Sequence, residues 1–376
     1  MRIGIDARLY LAERTGIGSY TAHLVQSFAE QAPGDEFVLF TDRQVPVPAA
    51  NFSNAVIEVK KRILWTLFFL PVALRSRKVD LFHGTANFEL PPFAPCRLVS
   101  TVHDLIPLHF PELVSRKFYL LFRSLIGRAI RRSDRVITDS EYSRRDILRR
   151  FPVAPEKVVV VPLAPHPRFR PGQDRSADLA VRRKYGLRGR YLLFVGVFEP
   201  RKNIPFLVDA FTALRRGDSG GAGFQLALAG GPGYRGEEIA KEIRARNLEP
   251  EVRLLGYVPD EELPALYREA DLLVVPSRYE GFGLPALEAM ACGTPVLAAD
   301  SSSLPEIVGP AGELFPLGEP EALAERIAAL MESRDTLDAM GRKGRAWASR
   351  FTWEETAART LEVYREALEG LPGGLR

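Results

Sequence analysis

The chain has 376 residues, of which 46% are hydrophobic and 26% are charged, a composition ordinary for a globular protein. The length predicts two or three domains, each large enough to bury a core. Its two cysteines, Cys96 and Cys292, exclude a disulfide or zinc framework and fit a reducing compartment. The chain begins directly with a strand pattern and has no apolar run of about 18 residues, so we expect a cytoplasmic protein without a membrane span.

Positive charge is concentrated in the first half of the chain. Residues 1–170 carry 25 Lys and Arg against 16 Asp and Glu, a net charge of +9, whereas the remaining residues have a net charge of −5. No nucleic-acid-binding module accompanies this charge, so we expect no nucleic-acid partner. A predicted helix at 116–132 interleaves basic and apolar residues, which fits either a core helix with a solvated basic face or contact with an anionic membrane surface.

Short apolar strands alternate with helical stretches along the first half, a pattern typical of a parallel, doubly wound sheet. The predicted strands cover 3–5, 37–40, 81–83, 98–102, 135–138 and 158–161, and the predicted helices cover 18–31, 64–77 and 116–132.

The alternation stops in a Pro- and Arg-rich passage at 164–175, which we interpret as a linker, and then restarts. The predicted strands cover 191–195, 225–229, 252–255, 272–275 and 296–298, and the predicted helices cover 205–215, 237–246, 261–269, 320–332, 336–350 and 353–369. The sequence therefore predicts an α/β fold with two Rossmann-like parallel-sheet domains at 1–170 and 171–352. Ligands of such sheets bind at the carboxyl ends of the strands, so we expect the site there.

The most informative stretch, 277–296, follows the fourth predicted strand of the second half. It places Glu280 on a loop with Gly281 and Gly283, whose missing side chains let backbone N–H groups approach a ligand. Pro285 suits the first turn of the helix that follows. A helix N-terminus behind a glycine loop favours an anion such as phosphate. The alternative is an acidic surface loop before an ordinary amphipathic helix.

Glu280 and Glu288 are separated by seven residues that begin with Gly-Phe-Gly-Leu-Pro. This pattern resembles the Glu-x7-Glu signature of retaining glycosyltransferases of family 4, which have the GT-B fold. The resemblance implies that Glu280 accepts hydrogen bonds from hydroxyls of the donor sugar and that Glu288 binds the ribose. A carboxylate suits both roles because it only accepts hydrogen bonds. The resemblance also implies donor binding by the turn residues Gly281, Phe282, Gly283 and Leu284.

Gly196 begins a second motif, Gly-Val-Phe-Glu-Pro-Arg-Lys, which ends with Arg201 and Lys202 just before a predicted helix. Cations are disfavoured at a positive dipole end unless an anion binds there; the alternative is a solvated basic pair. The motif resembles the family's Gly-x-x-x-x-Arg-Lys segment, whose basic residues bind the donor diphosphate and stabilise the departing nucleotide. Val197 stands where some family members have a further arginine, which lowers the positive charge by one.

The resemblance extends to three other places. Gly16 and Gly18 match a glycine loop that faces the donor phosphate and the acceptor, although a plain turn with a glycine N-cap fits the residues equally well. His103 resembles the family histidine that reaches the donor sugar near its 6-position. The backbone at Tyr257 and Val258 corresponds to the loop that holds the nucleobase.

The resemblance implies a retaining, metal-independent hexosyltransferase that uses a nucleoside diphosphate sugar as substrate, needs no cofactor and acts on a glycan or lipid-linked acceptor. No Asp-x-Asp occurs, so the sequence offers no metal-bridged donor site. Gly-Ile-Asp-Ala-Arg near the start and Leu-Phe-His-Gly at 81–84 resemble mannosyltransferases of polysaccharide and O-antigen assembly, which favours GDP-mannose over UDP-sugars.

Two alternatives remain: a GT-B nucleotide-sugar epimerase or hydrolase, and a catalytically idle sugar-nucleotide scaffold, for which broken motifs are expected. The family also leads us to expect that the C-terminal helix, 353–376, crosses back to the first domain, and that the enzyme lies peripherally on the inner face of a membrane.

Overall fold

The structure is a computed structural model that describes residues 1–11, 16–59, 61–172, 174–216, 223–231, 233 and 236–370. The chain divides into two units, one formed by Met1–Leu163 with Thr352–Arg376 and the other by Ala164–Phe351. The domain boundaries predicted from the sequence, 170/171 and 352/353, lie within seven residues of the boundaries between these two units.

The first unit is built on a parallel sheet. Its strands are β1 (Arg2–Asp6), β2 (Glu36–Thr41), β3 (Phe52–Val56), β4 (Leu81–Gly84), β5 (Arg97–Thr101), β6 (Arg135–Thr138) and β7 (Val158–Val160). They lie in the order β3-β2-β1-β4-β5-β6-β7, and each neighbouring pair is parallel. The helices are α1 (Gly16–Gln31), α2 (Arg62–Leu64), α3 (Leu70–Ser76), α4 (Ile106–His109), α5 (Arg116–Arg132) and α6 (Glu141–Arg150), with a π-helical turn at Trp65–Phe69 and 3-10 turns at Pro111–Leu113 and Pro155–Lys157.

The second unit repeats this architecture. Its strands are β8 (Arg190–Val195), β9 (Phe224–Ala229), β10 (Val252–Gly256), β11 (Leu272–Val275), β12 (Val296–Ala299) and β13 (Glu313–Phe315), in the order β10-β9-β8-β11-β12-β13. The helices are α7 (Arg175–Lys184), α8 (Ile204–Arg216), α9 (Gly236–Ala245), α10 (Leu263–Glu269), α11 (Leu284–Cys292), α12 (Leu304–Val308), α13 (Pro320–Glu332) and α14 (Arg334–Ala348), with 3-10 turns at Pro200–Lys202 and Gly309–Ala311. All four residues of β11 are buried, which explains its continuous apolar run.

The last helix, α15 (Trp353–Glu369), packs on the first unit, as expected. Its buried Tyr364 places Oη 2.7 Å from Nδ1 of His83 on β4. Thr356 Oγ1 donates a hydrogen bond of 2.8 Å to the carbonyl of Pro162, just before the division between the units. These contacts tie the end of the chain to the core of the first sheet.

Several elements differ from those predicted, and the helices α4, α6, α7 and α12 are additions to the predicted set. The predicted helix 64–77 is interrupted by the π-helical turn, where the Leu70 N–H donates to the Trp65 carbonyl; Pro71 follows and has no N–H with which to continue the α-helical pattern. The strands β3 and β13 were not predicted, because both are short edge strands with mixed burial. The first linker residues belong to the second unit because Phe169 packs against Tyr267 at 5.7 Å.

No helix in the part of the chain that the structure describes combines the length and the apolar character needed to span a membrane.

Candidate active site

Glu280 lies on the loop between β11 and α11, and its side chain is buried. Its Oε1 accepts hydrogen bonds of 2.6 Å from Lys202 Nζ and 2.6 Å from Ser277 Oγ. Its Oε2 accepts a hydrogen bond of 2.8 Å from Arg201 Nη1. Because both oxygens are held, the carboxylate has a defined orientation at the carboxyl end of the sheet.

The two cations reach Glu280 from the neighbouring strand. Arg201 and Lys202 lie in the 3-10 turn that follows β8, and β8 is adjacent to β11 in the sheet. Arg201 also donates to Glu199 Oε2 at 2.8 Å and to the Tyr279 carbonyl at 3.1 Å. The carboxyl ends of adjacent parallel strands thereby bring together residues that are 78 positions apart.

Electrostatics hold this cluster in its ionised form. Burial alone would raise the pKa of Glu280, but Lys202 and Arg201 lower that pKa to about 2. Burial lowers the pKa of Lys202, and Glu280 opposes this effect. Glu199 and Glu280 balance the charge of the two cations.

Three consecutive serines after β12 fix the Glu280 loop, and the sequence analysis missed them. Ser302 Oγ accepts a hydrogen bond of 2.8 Å from the Glu280 N–H. Ser303 Oγ donates to the carbonyls of Glu280 at 3.0 Å and Phe282 at 2.7 Å, and Ser301 Oγ donates to the Ser277 carbonyl at 2.6 Å. The sequence signal that could have identified these serines is their position close after β12, which neighbours β11.

Glycines allow the backbone to approach closely at two places in this site. A Cβ on Gly230, which has a φ of +151°, would lie 1.9 Å from the carbonyl oxygen of Gly196, so only glycine fits there. Gly283 has a φ of 108° and is the N-cap of α11, with no side-chain cap. The first N–H groups of this helix therefore lie behind a loop without bulky side chains at Gly281 and Gly283, as an anion site requires.

Glu288 lies on α11, and its environment differs from that of Glu280. Its Oε2 accepts a hydrogen bond of 3.0 Å from Tyr267 Oη on α10. Burial raises the pKa of Glu288 to about 7, although Tyr267 opposes the shift. One loop and helix thus carry two carboxylates with opposite pKa shifts.

The loop after β10 holds the two positions predicted to face the nucleobase. Tyr257 is 58% exposed, whereas Val258 is buried. Gly256, which precedes them, has a φ of +67°, and its carbonyl accepts a hydrogen bond from the Gly230 N–H at 2.8 Å. This hydrogen bond attaches the loop to Gly230, the glycine that approaches Gly196.

His103 belongs to the first unit, after β5, and both of its ring nitrogens have protein partners. Nδ1 lies 2.8 Å from Asp139 Oδ2 and Nε2 lies 3.2 Å from the Thr85 carbonyl. Burial would lower the pKa of His103, but Asp139 raises it. Both ring nitrogens of His103 are therefore engaged within the first unit.

The predicted glycine loop also lies in the first unit. Gly16 is the first residue of α1, and a Cβ there would meet no atom within 4 Å, so packing does not require glycine at this position. Gly18, two residues later, is buried. Tyr20, on the same helix, packs edge-on against His103 with ring centroids 4.9 Å apart. The structure therefore places the N-terminal end of α1 close to His103.

Family comparisons agree with this geometry in both halves of the chain. Residues 14–164 match the family model described as Glycosyltransferase Family 4, and residues 180–347 match the model described as glycosyl transferases group 1. The O-antigen chain mannosyltransferase B of Escherichia coli is 32% identical over 371 residues, which cover 93% of this chain and 96% of that protein. The chain is a family 4 glycosyltransferase.

Other relatives of the glycosyltransferase differ in their substrates. The D-inositol 3-phosphate glycosyltransferase of Segniliparus rotundus is 34% identical over 73% of this chain, but the match spans only 62% of that protein. Among solved structures, the sucrose-phosphate synthase of Thermosynechococcus elongatus has a TM-score of 0.75 and 23% identity, with 97% of this chain and 98% of that chain covered. This likeness concerns the fold and confirms the predicted GT-B class.

The glycosyltransferase brings the predicted residues together in two groups. Within the second unit, Gly196, Arg201, Lys202 and Glu280 form one cluster, and Glu288 follows on α11. His103, Gly16 and Gly18 belong to the first unit. The roles assigned to these residues stay predictions.

Proposed function

We propose that the protein is a retaining hexosyltransferase that moves mannose from GDP-mannose to an acceptor hydroxyl in polysaccharide or glycolipid assembly. The observation that carries the proposal is the buried Glu280, Arg201 and Lys202 cluster beside the glycine-flanked N-terminus of α11. It offers an acceptor of hydrogen bonds for sugar hydroxyls next to fixed donors for a diphosphate.

In the proposed reaction the bond between the anomeric carbon and the diphosphate oxygen breaks, and the acceptor oxygen bonds to the same face of the sugar. A phosphate oxygen of the donor takes the acceptor's proton, so no protein nucleophile is required. Glu280 orients the sugar, while Arg201 and Lys202 stabilise the charge that develops on the departing diphosphate. We assign the stabilising charge to this cation pair because both side chains are held in place by Glu280.

Mannose is proposed because a relative matched over 96% of its length is named a mannosyltransferase. The guanine base is proposed from the resemblance of the motifs near the start and at 81–84. A thermal-shift panel of GDP- and UDP-sugars tests the choice, since a ligand at about 100 times its Kd stabilises a protein by roughly 2.7 kcal/mol. Stabilisation by a UDP-sugar alone would overturn the base assignment.

The two carboxylates can be tested separately. Glu288→Ala should weaken binding of the bare nucleoside diphosphate, because we assign the ribose to Glu288. Glu280→Ala should retain that binding and lose sugar-dependent turnover. Calorimetry that shows the reverse pattern would exchange the two assignments.

Product analysis distinguishes transfer from the alternatives. A transferase forms a new glycoside with retained anomeric configuration only when acceptor is present, whereas an epimerase or hydrolase converts the donor without one. An idle scaffold is disfavoured because both motifs are intact, from Glu280 to Glu288 and at Arg201 and Lys202. We further propose that the basic first half holds the enzyme on the cytoplasmic face of an anionic membrane.

A further inference from the structure

His103 and Asp139 form a buried pair in the first unit. His103 follows β5 by two residues, Asp139 directly follows β6, and these two strands are adjacent in the sheet. His103 Nδ1 lies 2.8 Å from Asp139 Oδ2, and the two residues are 9% and 3% exposed. The pair therefore lies at the carboxyl ends of the strands, where open α/β sheets bind their ligands.

Both ring nitrogens of His103 face atoms that only accept hydrogen bonds. Nδ1 meets the carboxylate of Asp139, and Nε2 lies 3.2 Å from the Thr85 carbonyl. A neutral imidazole has one N–H donor and one acceptor lone pair, whereas an imidazolium has two donors. A neutral ring with its hydrogen on Nδ1 would turn its lone pair toward the Thr85 carbonyl. We infer that Nε2 carries a hydrogen and that a second proton lies between Nδ1 and the carboxylate.

The position of this second proton decides the charge of the pair. An imidazole is ordinarily a stronger base than a carboxylate, which favours the proton on Nδ1. Burial alone would lower the pKa of His103, but Asp139 raises it above its ordinary value. Burial also raises the pKa of Asp139, and His103 opposes this shift. Because Oδ1 of Asp139 is buried without a hydrogen-bond partner among the described residues, the contact with His103 is the one that stabilises the carboxylate.

Three further titratable groups interact electrostatically with the pair. Asp104, the next residue in the chain, is half-buried and also raises the pKa of His103. Tyr20 on α1 packs edge-on against the ring of His103, and burial raises the pKa of its hydroxyl, so this tyrosine is neutral. The third group is His83 on β4. Two carboxylates therefore act on His103, and both favour its charged form.

His83 has the opposite arrangement on the strand beside β5. Its ring nitrogens lie 2.7 Å from Tyr364 Oη and 2.8 Å from Thr101 Oγ1. A hydroxyl can donate or accept, so both contacts are compatible with a neutral ring. Burial and the nearby His103 lower the pKa of His83 to about 3. Two histidines on adjacent strands thus differ in charge because one ring meets hydroxyls and the other meets only acceptors.

We propose that Asp139 is a positioning residue that holds the ring of His103 as an imidazolium, and that His103 acts in this form at the donor sugar. The inference rests on the proposed transferase function and on the role predicted for His103. An imidazolium offers positive charge and N–H donors to oxygens of the donor. It has no lone pair with which to take the proton of the acceptor hydroxyl, which passes to a phosphate oxygen in the proposed reaction.

NMR of the imidazole nitrogens, recorded on the full chain with isotope-labelled histidine, tests the protonation state. The chain has five histidines, and the signals of His103 are those that disappear in His103→Gln. We expect both nitrogens of His103 to stay protonated to a pH above the ordinary pKa of histidine, whereas His83 stays neutral. Asp139→Asn should lower the pKa of His103 by about 1 to 3 units, because the opposite charge is lost. A neutral His103 in wild type, with the proton on Asp139, would overturn the proposal.

The pH dependence of kcat at saturating donor gives a second test. The imidazolium is present at low pH and is lost as the pH rises through the pKa of His103, so kcat should fall on the alkaline side. Asp139→Asn should move this fall to lower pH by about 1 to 3 units. At acid pH the ring is protonated in both proteins, and turnover of the variant should approach that of wild type. A merely structural defect would lower kcat equally at every pH, and a wild-type kcat that rises with pH would make His103 a base; either result contradicts the proposal.

Asp146→Asn is the matched control, because Asp146 also contacts a histidine of the first unit, with Oδ2 2.6 Å from His109 Nε2. It should leave the signals of His103 and the alkaline fall of kcat unchanged, and equal shifts in both variants would overturn the proposal. Circular dichroism checks that the variants fold. If Asp139→Asn does not fold, the titration and the pH profile of wild type still decide the question. Absence of transfer by wild type would refute the transferase function and leave the ion pair standing.

Discussion

Each unit contains a buried ionic cluster at the carboxyl ends of parallel strands, and the two clusters are satisfied to different degrees. In the second unit both oxygens of Glu280 are hydrogen-bonded, and serines hold its loop. In the first unit Arg8 binds Asp6 and Glu89, yet Nη1 of Arg8 and Nε1 of Trp65 have no partner within the described chain.

The Glu280 cluster is therefore preorganised, whereas the hydrogen bonding of the Arg8 cluster is incomplete. A buried donor without a partner costs about 1–3 kcal/mol, which a ligand can recover when it binds. Protein contacts alone fix the geometry of the Glu280 cluster, which suits the role that we propose for it in stabilising developing charge. The Arg8 cluster leaves two buried donors without a partner among the described residues.

The largest expected effect comes from breaking the closed cluster. Lys202→Met should destabilise the protein by about 3 kcal/mol, because the buried Glu280 loses one of its two cations and keeps only Arg201. Denaturant unfolding measures this loss. Lys202→Met/Glu280→Gln should recover most of it, and Arg278→Met, at an exposed arginine of the same loop, should have no effect. A single variant as stable as wild type would show that the pairing is not structural.

The same cluster should support catalysis without a metal ion. Removal of one preorganised charge by Lys202→Ala should lower the rate on the order of 100- to 1,000-fold, and the activity of wild type should survive excess EDTA. Steady-state assays check both statements, with Arg278→Ala as the control for a nearby arginine. Loss of activity on chelation and its recovery with Mn²⁺ or Mg²⁺ would refute the role given to the cation pair.

The contrast between Glu280 and Glu288 predicts a pH dependence. Because burial raises the pKa of Glu288 from 4.5 to about 7, its protonated form is favoured in the folded state, and its contribution to stability falls as the pH rises between these values. Glu288→Gln should remove this fall, up to about 1.4 kcal/mol for each pH unit. Unfolding at several pH values within that window measures it, and identical slopes in variant and wild type would contradict the shift.

The smallest effect concerns the basic surface of the first unit. Each cation near an anionic membrane contributes about 1 kcal/mol, so binding should be weak and reversible. We expect cosedimentation with anionic vesicles at low salt, release at roughly 0.5 M salt and reduced binding after Arg123, Arg128 and Arg131 are changed to Ser.

The control for the vesicle assay changes three other exposed arginines to Ser, namely Arg145, Arg149 and Arg342. Equal reduction by both sets would indicate a general charge effect. Indifference of wild type to anionic vesicles would show that α5 is only a sheet-packing helix.

The sequence by itself determined the features that depend on local pattern. Strand and helix alternation predicted two parallel sheets, and the bounds of α5, Arg116–Arg132, agree with the predicted 116–132. Glu280, Glu288, Arg201 and Lys202 could be selected because their motifs resemble those of family 4 glycosyltransferases and lie next to predicted strand ends and helix starts.

Only the tertiary structure decided the partners. The order β8-β11-β12 joins Lys202, Glu280 and Ser302, and the packing of α10 on α11 gives Glu288 its tyrosine. The π-helical turn at Trp65–Phe69 likewise appears only in the structure, because a helical periodicity at 64–77 contains no sign of that turn. Periodicity records which face of an element is buried, whereas hydrogen bonds between residues tens of positions apart depend on strand order, which local pattern does not encode.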